Sequence, residues 1–441
     1  MMHLFYIVIM VIITSFYFFP FEFTFLPGVN TKMAMAGIGL VLLSVDLAKS
    51  HKSVIGKDFF KLSLWALGVS LVCFLSVVYN ETYDYTYVSY IISMWVWASG
   101  AYVVVTLIRW IHKRASVVLV CNYLIAVCVM QCILAMMIDK IPAFENAVNS
   151  VVSGLGFVEL DTLEKAKRLY GIGASLDVAG TRFASVLVMI AFLVVYLDNT
   201  RLRKYLWLYV LSVLVIGIIG NMMSRTTTVG LILFIAYLIY ASKIYMLKVH
   251  YSTRHLFLWL GVGLLVLIPL VTFLYNTDMD IRSNIRFAFE GFFSLVEKGK
   301  WDVHSNEILK NMYVFPDNIK TWIIGDGYME NPYVSDPYYV GPRWYGYYMA
   351  TDVGYLRFIF YFGLIGLSIF SYFMFLAGKI NVNRFKEQKL LFWMLIAVHF
   401  IVWFKVATDI FLVFALFLMI DEGENEEYNN SILLNETNHI E

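Results

Sequence analysis

The chain has 441 residues, of which 60% are hydrophobic and only 15% are charged, and its formal net charge at pH 7 is +1. Soluble domains carry about a quarter charged residues, so this composition excludes a soluble globular protein. The balanced charge also gives no reason to expect a nucleic-acid partner, because nucleic-acid-binding proteins carry strongly basic surfaces.

Long apolar runs, separated by short charged segments, recur along the whole chain. A run of about 18 or more apolar residues can cross the hydrocarbon core as a helix, and backbone polar groups in lipid must bond within that helix. We therefore predict an all-α, polytopic bundle of about 12 membrane-spanning helices. The last two spans are alternatively one helix broken near Trp403–Lys405. The predicted spans are residues 4–20, 33–48, 61–79, 88–108, 116–138, 182–197, 205–220, 227–246, 256–275, 353–377, 390–402 and 406–420.

Basic residues alternate between the two sets of loops that join the predicted spans. The short loops of one set hold only Lys32, Arg225 and Lys405, whereas every loop of the other set is rich in basic residues. Because cytoplasmic loops carry the excess of lysine and arginine, both termini are predicted to be cytoplasmic. The basic loops contain Lys49, Lys52, Lys57 and Lys61; Arg109, Lys113 and Arg114; Arg201, Arg203 and Lys204; Lys243, Lys248 and Arg254; and Lys379, Arg384, Lys386 and Lys389.

Two long segments then lie on the outer side, and long loops in compact proteins are usually functional or disordered. The second segment is dense in Trp and Tyr from Trp322 to Tyr355, which predicts a packed structure. Whether its rings only pack together, lie at the lipid interface or stack on sugar rings stays open. The predicted parts are N-terminal transmembrane helices (1–138), a first external segment (139–181), central transmembrane helices (182–275), a large external loop (276–351), C-terminal transmembrane helices (352–420) and a cytoplasmic acidic tail (421–441).

Three arginines are predicted on the outer side. Arg225 lies in a short connection between two spans, and the residues after it open a helix, whose N-terminus favours anions. Arg182 opens the sixth span, and Arg168 lies 14 residues earlier. Guanidinium groups bind phosphate oxygens bidentately, so the three arginines predict a site for a lipid pyrophosphate. Interface anchoring of Arg225 and simple exposure of Arg168 are the alternatives.

A further polar cluster, Thr351–Arg357, begins the tenth span. Asp352 is a candidate general base, or a residue that orients a sugar hydroxyl. Arg357 lies deeper in the helix, where a charge usually faces a polar cavity. A structural ion pair is the alternative for both residues. The four cysteines fall in apolar runs without metal-ligand spacing, and neither a metal nor a cofactor is predicted.

Other polar residues are predicted to be structural. Lys405 and Asp409 are four residues apart and are predicted to neutralise each other, and His399 is predicted to be packed rather than catalytic. The pair Asp278 and Asp280 resembles the Asp-x-Asp of metal-dependent glycosyltransferases, but no nucleotide-binding α/β domain surrounds it. We therefore assign it no metal.

These features together resemble the Wzy-type polysaccharide polymerases, within the superfamily of O-antigen polymerases and ligases. The topology resembles that family over most of the chain, and motifs resemble it near residues 165–190, 220–240 and 322–367. The resemblance implies a GT-C-like bundle in the bacterial inner membrane. The motifs are Arg168-Leu-Tyr-Gly171 leading to Thr181-Arg182, Ser224-Arg225-Thr226-Thr227, Ile324-Gly-Asp-Gly327, and Thr351-Asp-Val-Gly-Tyr355 with Phe362-Gly-Leu-Ile-Gly366.

The resemblance implies that undecaprenyl-pyrophosphate-linked oligosaccharides are polymerised into O-antigen or capsular polysaccharide, by metal-independent glycosyl transfer at the outer face. It implies membrane lipid, a chain-length regulator and a flippase as further partners. It implies pyrophosphate binding by Arg182, Arg225 and Arg168. It implies catalytic roles for Asp352 and, as a second candidate, Asp326. The residues expected to bind sugars are Arg343, Arg357, Trp344 and Tyr355.

Three other functions stay open. An O-antigen ligase performs the same chemistry on another acceptor, but ligases commonly carry a histidine where this chain has Asp352. A polysaccharide or lipid transporter is not an enzyme and would show broken helices with charges at mid-bilayer depth. Most charges here lie at the predicted helix ends instead. A structural membrane partner is the third alternative, and the clustered outer arginines argue against it.

Overall fold

The computed structural model describes residues 2–49, 56–154, 168–197, 199–242, 251–344 and 346–427, and it is built almost entirely of helices. Two short strands, β1 (Glu22–Phe23) and β2 (Val152–Gly154), form an antiparallel pair. The predicted all-α bundle is confirmed. Outside the described residues lie Lys52, Lys243 and Lys248 of the basic loops, residues 155–167 of the first external segment, and residues 428–441 of the tail.

The N-terminal helices are long and apolar, as lipid requires. The helix that begins at Val117 has a side-chain cap: the Ser116 hydroxyl accepts a hydrogen bond from the Leu119 amide at 3.2 Å, which is a helix N-cap. The helices are α1 (Met2–Phe18), α2 (Thr31–Lys49), α3 (Lys57–Tyr79), α4 (Tyr90–His112), α5 (Val117–Lys140) and the short α6 (Pro142–Val151).

The central helices differ greatly in burial. In the most apolar stretch of α7, 89% of the residues are buried inside the protein, whereas in α10 only 6% are. Helix α7 is therefore the middle of the bundle, and α10 lies at its periphery. The helices are α7 (Leu176–Tyr196), α8 (Asn199–Met223), α9 (Thr227–Ala241) and α10 (Tyr251–Thr277).

The large external loop contains short helices. Asp278 caps the first of them, because its carboxylate accepts hydrogen bonds from the Asp280 and Ile281 amides at 2.9 and 3.0 Å. Asn318 caps α14 in the same way, through the Thr321 amide at 2.9 Å. The helices are α11 (Met279–Ala288), α12 (Glu290–Lys298), α13 (His304–Asn311), α14 (Ile319–Ile323) and α15 (Pro332–Ser335).

The C-terminal helices are α16 (Gly354–Arg384), α17 (Lys389–Val402) and α18 (Phe411–Leu418). Helix α16 is broken at Gly363, which has φ +67° and ψ −172°. Residues 390–420 form two helices rather than one broken helix. They run in opposite directions, because α17 begins beside Arg384 while the α18 C-terminal carbonyl of Leu418 accepts a hydrogen bond from Arg384 at 2.8 Å.

Eight of the described helices are long and apolar enough to cross a membrane. Within the described residues, each predicted span coincides with a helix, and residues 243–246 of the span 227–246 lie outside them. Eight spans coincide with these eight helices, and the other four coincide with the shorter helices α1, α9, α17 and α18. That all twelve cross the membrane therefore stays a prediction. The eight long helices are α2, α3, α4, α5, α7, α8, α10 and α16.

Contacts between loops define two ends of the bundle. At the Arg384 end, Arg109 pairs with Glu424 at 2.6 Å and Arg384 with Glu422 at 2.9 Å. The loops that the charge pattern assigned to one side thus meet the acidic tail at one end. At the Arg225 end lie the long external segments, the α8–α9 connection and the α17–α18 connection. Which side of a membrane each end faces stays a prediction.

Candidate functional site

A group of polar side chains lies where the start of α7 meets the α8–α9 connection. The Asp177 carboxylate accepts hydrogen bonds from the hydroxyls of Thr226 at 2.6 Å and Ser224 at 3.2 Å. It also pairs with the Lys405 ammonium at 3.2 Å, and Lys405 donates to the Thr226 hydroxyl at 2.8 Å. A carboxylate at this position is favoured because helix N-termini carry partial positive charge.

This pairing corrects the prediction that Lys405 and Asp409 neutralise each other. Lys405 reaches across to α7, while the Asp409 carboxylate accepts a hydrogen bond from the Tyr90 hydroxyl at 2.9 Å. Asp409 also accepts from the Phe411 amide at 2.7 Å and so opens α18. The residues between α17 and α18 do not form a continuous helix, so the four-residue spacing does not bring these two charges together.

Arg225 uses its whole guanidinium to hold the large external loop. Its Nε donates to the Phe287 carbonyl at 3.0 Å, its Nη1 donates to the Ser305 hydroxyl at 2.6 Å, and its Nη2 lies 2.6 Å from a Glu290 carboxylate oxygen. The guanidinium carbon also lies 4.0 Å from the centre of the Phe287 ring. Burial lowers the pKa of Arg225, and the Glu290 charge opposes that shift.

Arg168 lies beside Arg225 on the same aromatic ring. Its guanidinium carbon is 4.8 Å from the centre of the Phe287 ring, and among the described residues it has no hydrogen-bond or ion-pair partner. Its charge acts on both Arg225 and Asp177. The structure thus brings two of the three predicted arginines together, and within the described part of the chain Arg168 is without a hydrogen-bond or ion-pair partner.

Arg182 does not join this group, which corrects its assignment to one shared site. It follows Asp177 by five residues in α7, which places it roughly 7.5 Å deeper along the helix axis. Its side chain is 5% exposed. There it donates a hydrogen bond to the Phe18 carbonyl and lies within 6.0 Å of the Phe19 and Trp97 ring centres. This is the environment of a cation that joins α1 to α7.

Asp352 has a different environment from the other carboxylates at this end. It has no hydrogen-bond or ion-pair partner among the described residues, and burial raises its pKa, opposed chiefly by the charge of Arg357 and also by Lys405 and Arg168. Its segment touches that of Lys405: the Tyr355 amide donates to the Trp403 carbonyl at 3.2 Å. A carboxyl group that is partly buried and unbonded is suited to accept a proton.

The backbone is strained on both sides of this group. Leu176, which precedes Asp177, has φ +44°, and Met349 and Ala350, which precede Asp352, have φ +57° and +53°. Each such residue costs on the order of 1–3 kcal/mol, and strain of this kind is concentrated at functional sites. The strain therefore marks the two carboxylates as positions that the surrounding structure holds in place.

Arg357 is buried beneath the aromatic segment, which comprises the Trp- and Tyr-rich residues 322–355. It is 5% exposed, its Nη2 donates to the Met329 carbonyl at 2.9 Å and to the Glu330 carboxylate at 3.2 Å, and its guanidinium lies 3.4 Å from the centre of the Tyr347 ring. Its Nε is buried without a hydrogen-bond partner. The Asp84 carboxylate accepts a hydrogen bond from the Met329 amide of the same turn at 2.7 Å.

Asp326 has the contacts of a structural residue, which argues against its assignment as a base. Its carboxylate accepts from the Thr321 hydroxyl at 2.6 Å and pairs with the Lys320 ammonium at 2.8 Å. The Tyr348 hydroxyl donates to it at 3.4 Å, and its own amide donates to the Phe360 carbonyl. These contacts fasten the turn around Asp326 onto the first part of α16.

The predicted sugar-binding residues do not form one surface. Trp344 donates to the Tyr339 hydroxyl at 3.2 Å, and Arg343 is exposed with its guanidinium 5.1 Å from the centre of the Tyr333 ring. Tyr355 lies elsewhere, since its hydroxyl donates to the Phe400 carbonyl at 2.9 Å and its ring packs on Trp403. The aromatic segment therefore packs largely on itself, and Tyr355 joins α16 to α17.

Several residues of this group were missed in the sequence. Asp177 carries a detectable signal, because an acidic residue at the start of an apolar run is favourable at a helix N-terminus. Phe287, Glu290 and Ser305 carry none, because their role depends on how α11 to α13 fold back onto the α8–α9 connection. Among the described residues, no group of three or more His, Cys, Asp or Glu side chains is placed to hold a metal ion.

Comparison with protein-family models, with curated proteins and with solved structures finds no match for this chain. The resemblance to polysaccharide polymerases therefore depends on the quoted motifs.

Proposed function

We propose that the protein polymerises undecaprenyl-pyrophosphate-linked oligosaccharide repeat units at the outer face of a bacterial inner membrane, in a GT-C-like bundle. One observation carries the proposal: three cations, Arg168, Arg225 and Lys405, lie at one end of the bundle near Asp352, a carboxylate without a bonding partner among the described residues. These residues come from four separate segments of the chain. The proposal therefore concerns a folded site rather than a local motif.

The chemistry needs no metal on this proposal. The acceptor hydroxyl oxygen attacks the anomeric carbon of the donor sugar, and the bond from that carbon to the diphosphate oxygen breaks. The lipid pyrophosphate leaves with its negative charge, and Asp352 takes the proton of the acceptor hydroxyl. Fixed cations next to the leaving group stabilise its developing charge, which is often the largest contribution to catalysis. Among the described residues, Arg168 is a cation whose guanidinium is not already bonded within the protein.

Arg168→Ala and Asp352→Asn test the proposal in a bacterial strain that lacks the native gene and expresses each variant at equal level. Arg168 has no hydrogen-bond or ion-pair partner among the described residues, so its removal should leave the folding of that part of the chain intact. We expect either variant to lower elongation on the order of 10²–10³-fold, by analogy with the loss of one oxyanion donor. Surface glycan on a gel should then consist of single repeat units on the final acceptor.

The matched controls also remove one positive charge and one carboxylate, but at exposed positions. Lys310→Ala removes an exposed cation from α13, and Asp317→Asn neutralises an exposed carboxylate of the same loop. Both should leave the glycan length distribution unchanged. Normal chain lengths in the Arg168 and Asp352 variants would contradict the proposal. Long chains that accumulate on the carrier lipid would instead identify a ligase.

A further inference from the structure

The carboxylate of Glu290 lies where an anionic ligand of Arg225 would bind. Its oxygen is 2.6 Å from the Arg225 Nη2. Carboxylate and phosphate oxygens both bind guanidinium groups in the same way. We propose that Glu290 occupies the anion site of Arg225 in the free protein, and that the phosphate groups of the ligand displace it. The identity of the ligand as a diphosphate rests on the proposed function.

The contact between Glu290 and Arg225 is close but poorly aligned. Although the two atoms are 2.6 Å apart, the Glu290 Oε2 is buried and has no hydrogen-bond partner of acceptable geometry. Charge-assisted hydrogen bonds to arginine are strongest when they are aligned and bidentate. A diphosphate, which offers several oxygens, can therefore replace this single misaligned contact with better ones.

The remaining contacts of both residues allow the exchange. Arg225 keeps the Phe287 carbonyl and the Ser305 hydroxyl as partners of its Nε and Nη1, so it stays in position when Glu290 leaves. Glu290 has one other contact, because its Oε1 accepts a hydrogen bond from the His304 amide at 3.1 Å, and the exchange must break it. The Glu290 side chain is 31% exposed, so water can replace that hydrogen bond and the carboxylate leaves without crossing the protein core. Its release does not require the bundle to open.

The charge balance also favours a ligand over an empty site. With Glu290 in place, the cations Arg168, Arg225 and Lys405 are matched by three carboxylates, those of Glu290, Asp177 and Asp352. Removal of Glu290 leaves three cations and two carboxylates. This excess of positive charge, which lies beside Arg168, attracts an anion. An anion that carries several negative charges is bound most strongly.

The test measures binding of inorganic pyrophosphate to the full chain in detergent micelles, by titration calorimetry at fixed ionic strength. Glu290→Gln removes the internal competitor and should tighten binding about fivefold or more, the lower end of typical coupling between competing ligands. Glu307→Gln, an exposed glutamate on α13, is the matched control and should bind like the unchanged protein. Arg225→Ala should abolish the binding.

Equal or weaker binding by Glu290→Gln would overturn the inference, and so would binding that survives Arg225→Ala. If Glu290→Gln folds poorly, Glu290→Asp provides a second measurement. It keeps the negative charge but shortens the side chain, so it should also bind pyrophosphate more tightly than the unchanged protein. Tighter binding with normal glycan in the Arg168→Ala strain would support this site and contradict the polymerase. Shortened glycan in the Arg168→Ala strain, with unchanged pyrophosphate affinity in Glu290→Gln, would support the polymerase and contradict the role of Glu290.

Discussion

Asp352 and Arg168 differ from the other charged side chains at the Arg225 end in their bonding. Asp177, Glu290, Arg225 and Lys405 all have partners within the protein, whereas neither Asp352 nor Arg168 has one among the described residues. A charge that is partly removed from water and left unbonded costs free energy. On the proposed function, the substrate supplies the missing partners of both residues.

The raised pKa of Asp352 predicts the pH dependence of the reaction. A base must be ionised, so the elongation rate should increase as the pH rises through the pKa of Asp352, and burial places that pKa above the ordinary aspartate value of 3.8. Arg357 is the main charge that opposes this shift. In Arg357→Gln the acidic limb of the pH–rate profile, measured in membrane vesicles with lipid-linked repeat units, should move to higher pH.

An acidic limb that stays in place in Arg357→Gln would contradict the assignment of Asp352 as the base. Stability provides the control. Because the pKa is higher in the folded chain than in the unfolded chain, the free energy of unfolding falls as the pH rises through this range. The ionised carboxylate thus destabilises the fold at neutral pH. Asp352→Asn should melt in detergent micelles at the same or a higher temperature than the unchanged protein.

At the scale of elements, the break in α16 places the aromatic segment on the bundle. The Ser76 hydroxyl of α3 lies 2.7 Å from the Tyr361 carbonyl, just before the break, and 2.9 Å from the Ile324 carbonyl of the loop. The side-chain amide of Asn80 donates a hydrogen bond to the Gly325 carbonyl at 3.1 Å. The end of α3 therefore supplies side-chain donors to carbonyl groups of the loop and of the broken helix, where the Tyr361 carbonyl also accepts from the Gly327 amide at 3.1 Å.

Removal of the Ser76 hydroxyl should destabilise this junction. Ser76 is 1% exposed, and Ser76→Ala leaves the partly buried Ile324 carbonyl without this donor, which costs about 1–3 kcal/mol. The Tyr361 carbonyl keeps the Gly327 amide as a donor. Ser63→Ala on the same helix is the matched control, because the Ser63 hydroxyl bonds only to the Phe59 carbonyl of its own helix. Thermal unfolding in detergent micelles should show a lower midpoint for Ser76→Ala alone. Equal midpoints for the two variants would contradict the role of Ser76.

The Gly363→Ala variant tests whether the break in α16 constrains the fold. Its φ of +67° is unfavourable for other residues, and an added Cβ would lie 2.1 Å from the Ile323 carbonyl oxygen. Gly363→Ala should therefore lower the free energy of unfolding by more than about 1 kcal/mol. Gly37→Ala in α2, where an added Cβ meets nothing within 4 Å, should be neutral or stabilising. A Gly363→Ala variant as stable as Gly37→Ala would show that the break does not constrain the fold.

At the scale of the whole molecule, both ends can be assigned to a side of the membrane with thiol labelling. The four native cysteines are all buried, so the unchanged chain should give little background. Lys310→Cys and Glu426→Cys place exposed thiols at the Arg225 end and the Arg384 end. A membrane-impermeant maleimide should label Lys310→Cys in intact spheroplasts and Glu426→Cys only after permeabilisation. The opposite pattern would reverse the predicted orientation.

The sequence predicted the helical bundle well because the length of an apolar run is a local property. Every predicted span coincides with a helix, and eight of them are long enough to cross a membrane. The site was harder to predict. The ion pair of Arg225 with Glu290 and that of Lys405 with Asp177 join residues that are far apart in the chain. Neither pair follows from helix periodicity, since each depends on how irregular segments pack onto the helix ends.

The large external loop is fastened to the bundle at two separate places. Its first half, through Phe287, Glu290 and Ser305, is held by Arg225 between α8 and α9, whereas residues 324–330 are held by the end of α3. A small tilt of α3 relative to α8 and α9 would therefore pull the two halves apart and widen the gap between Arg225 and Arg357. A bilayer of different thickness, to which helices adapt in part by tilting, would then change the distance between the anion site and the aromatic segment.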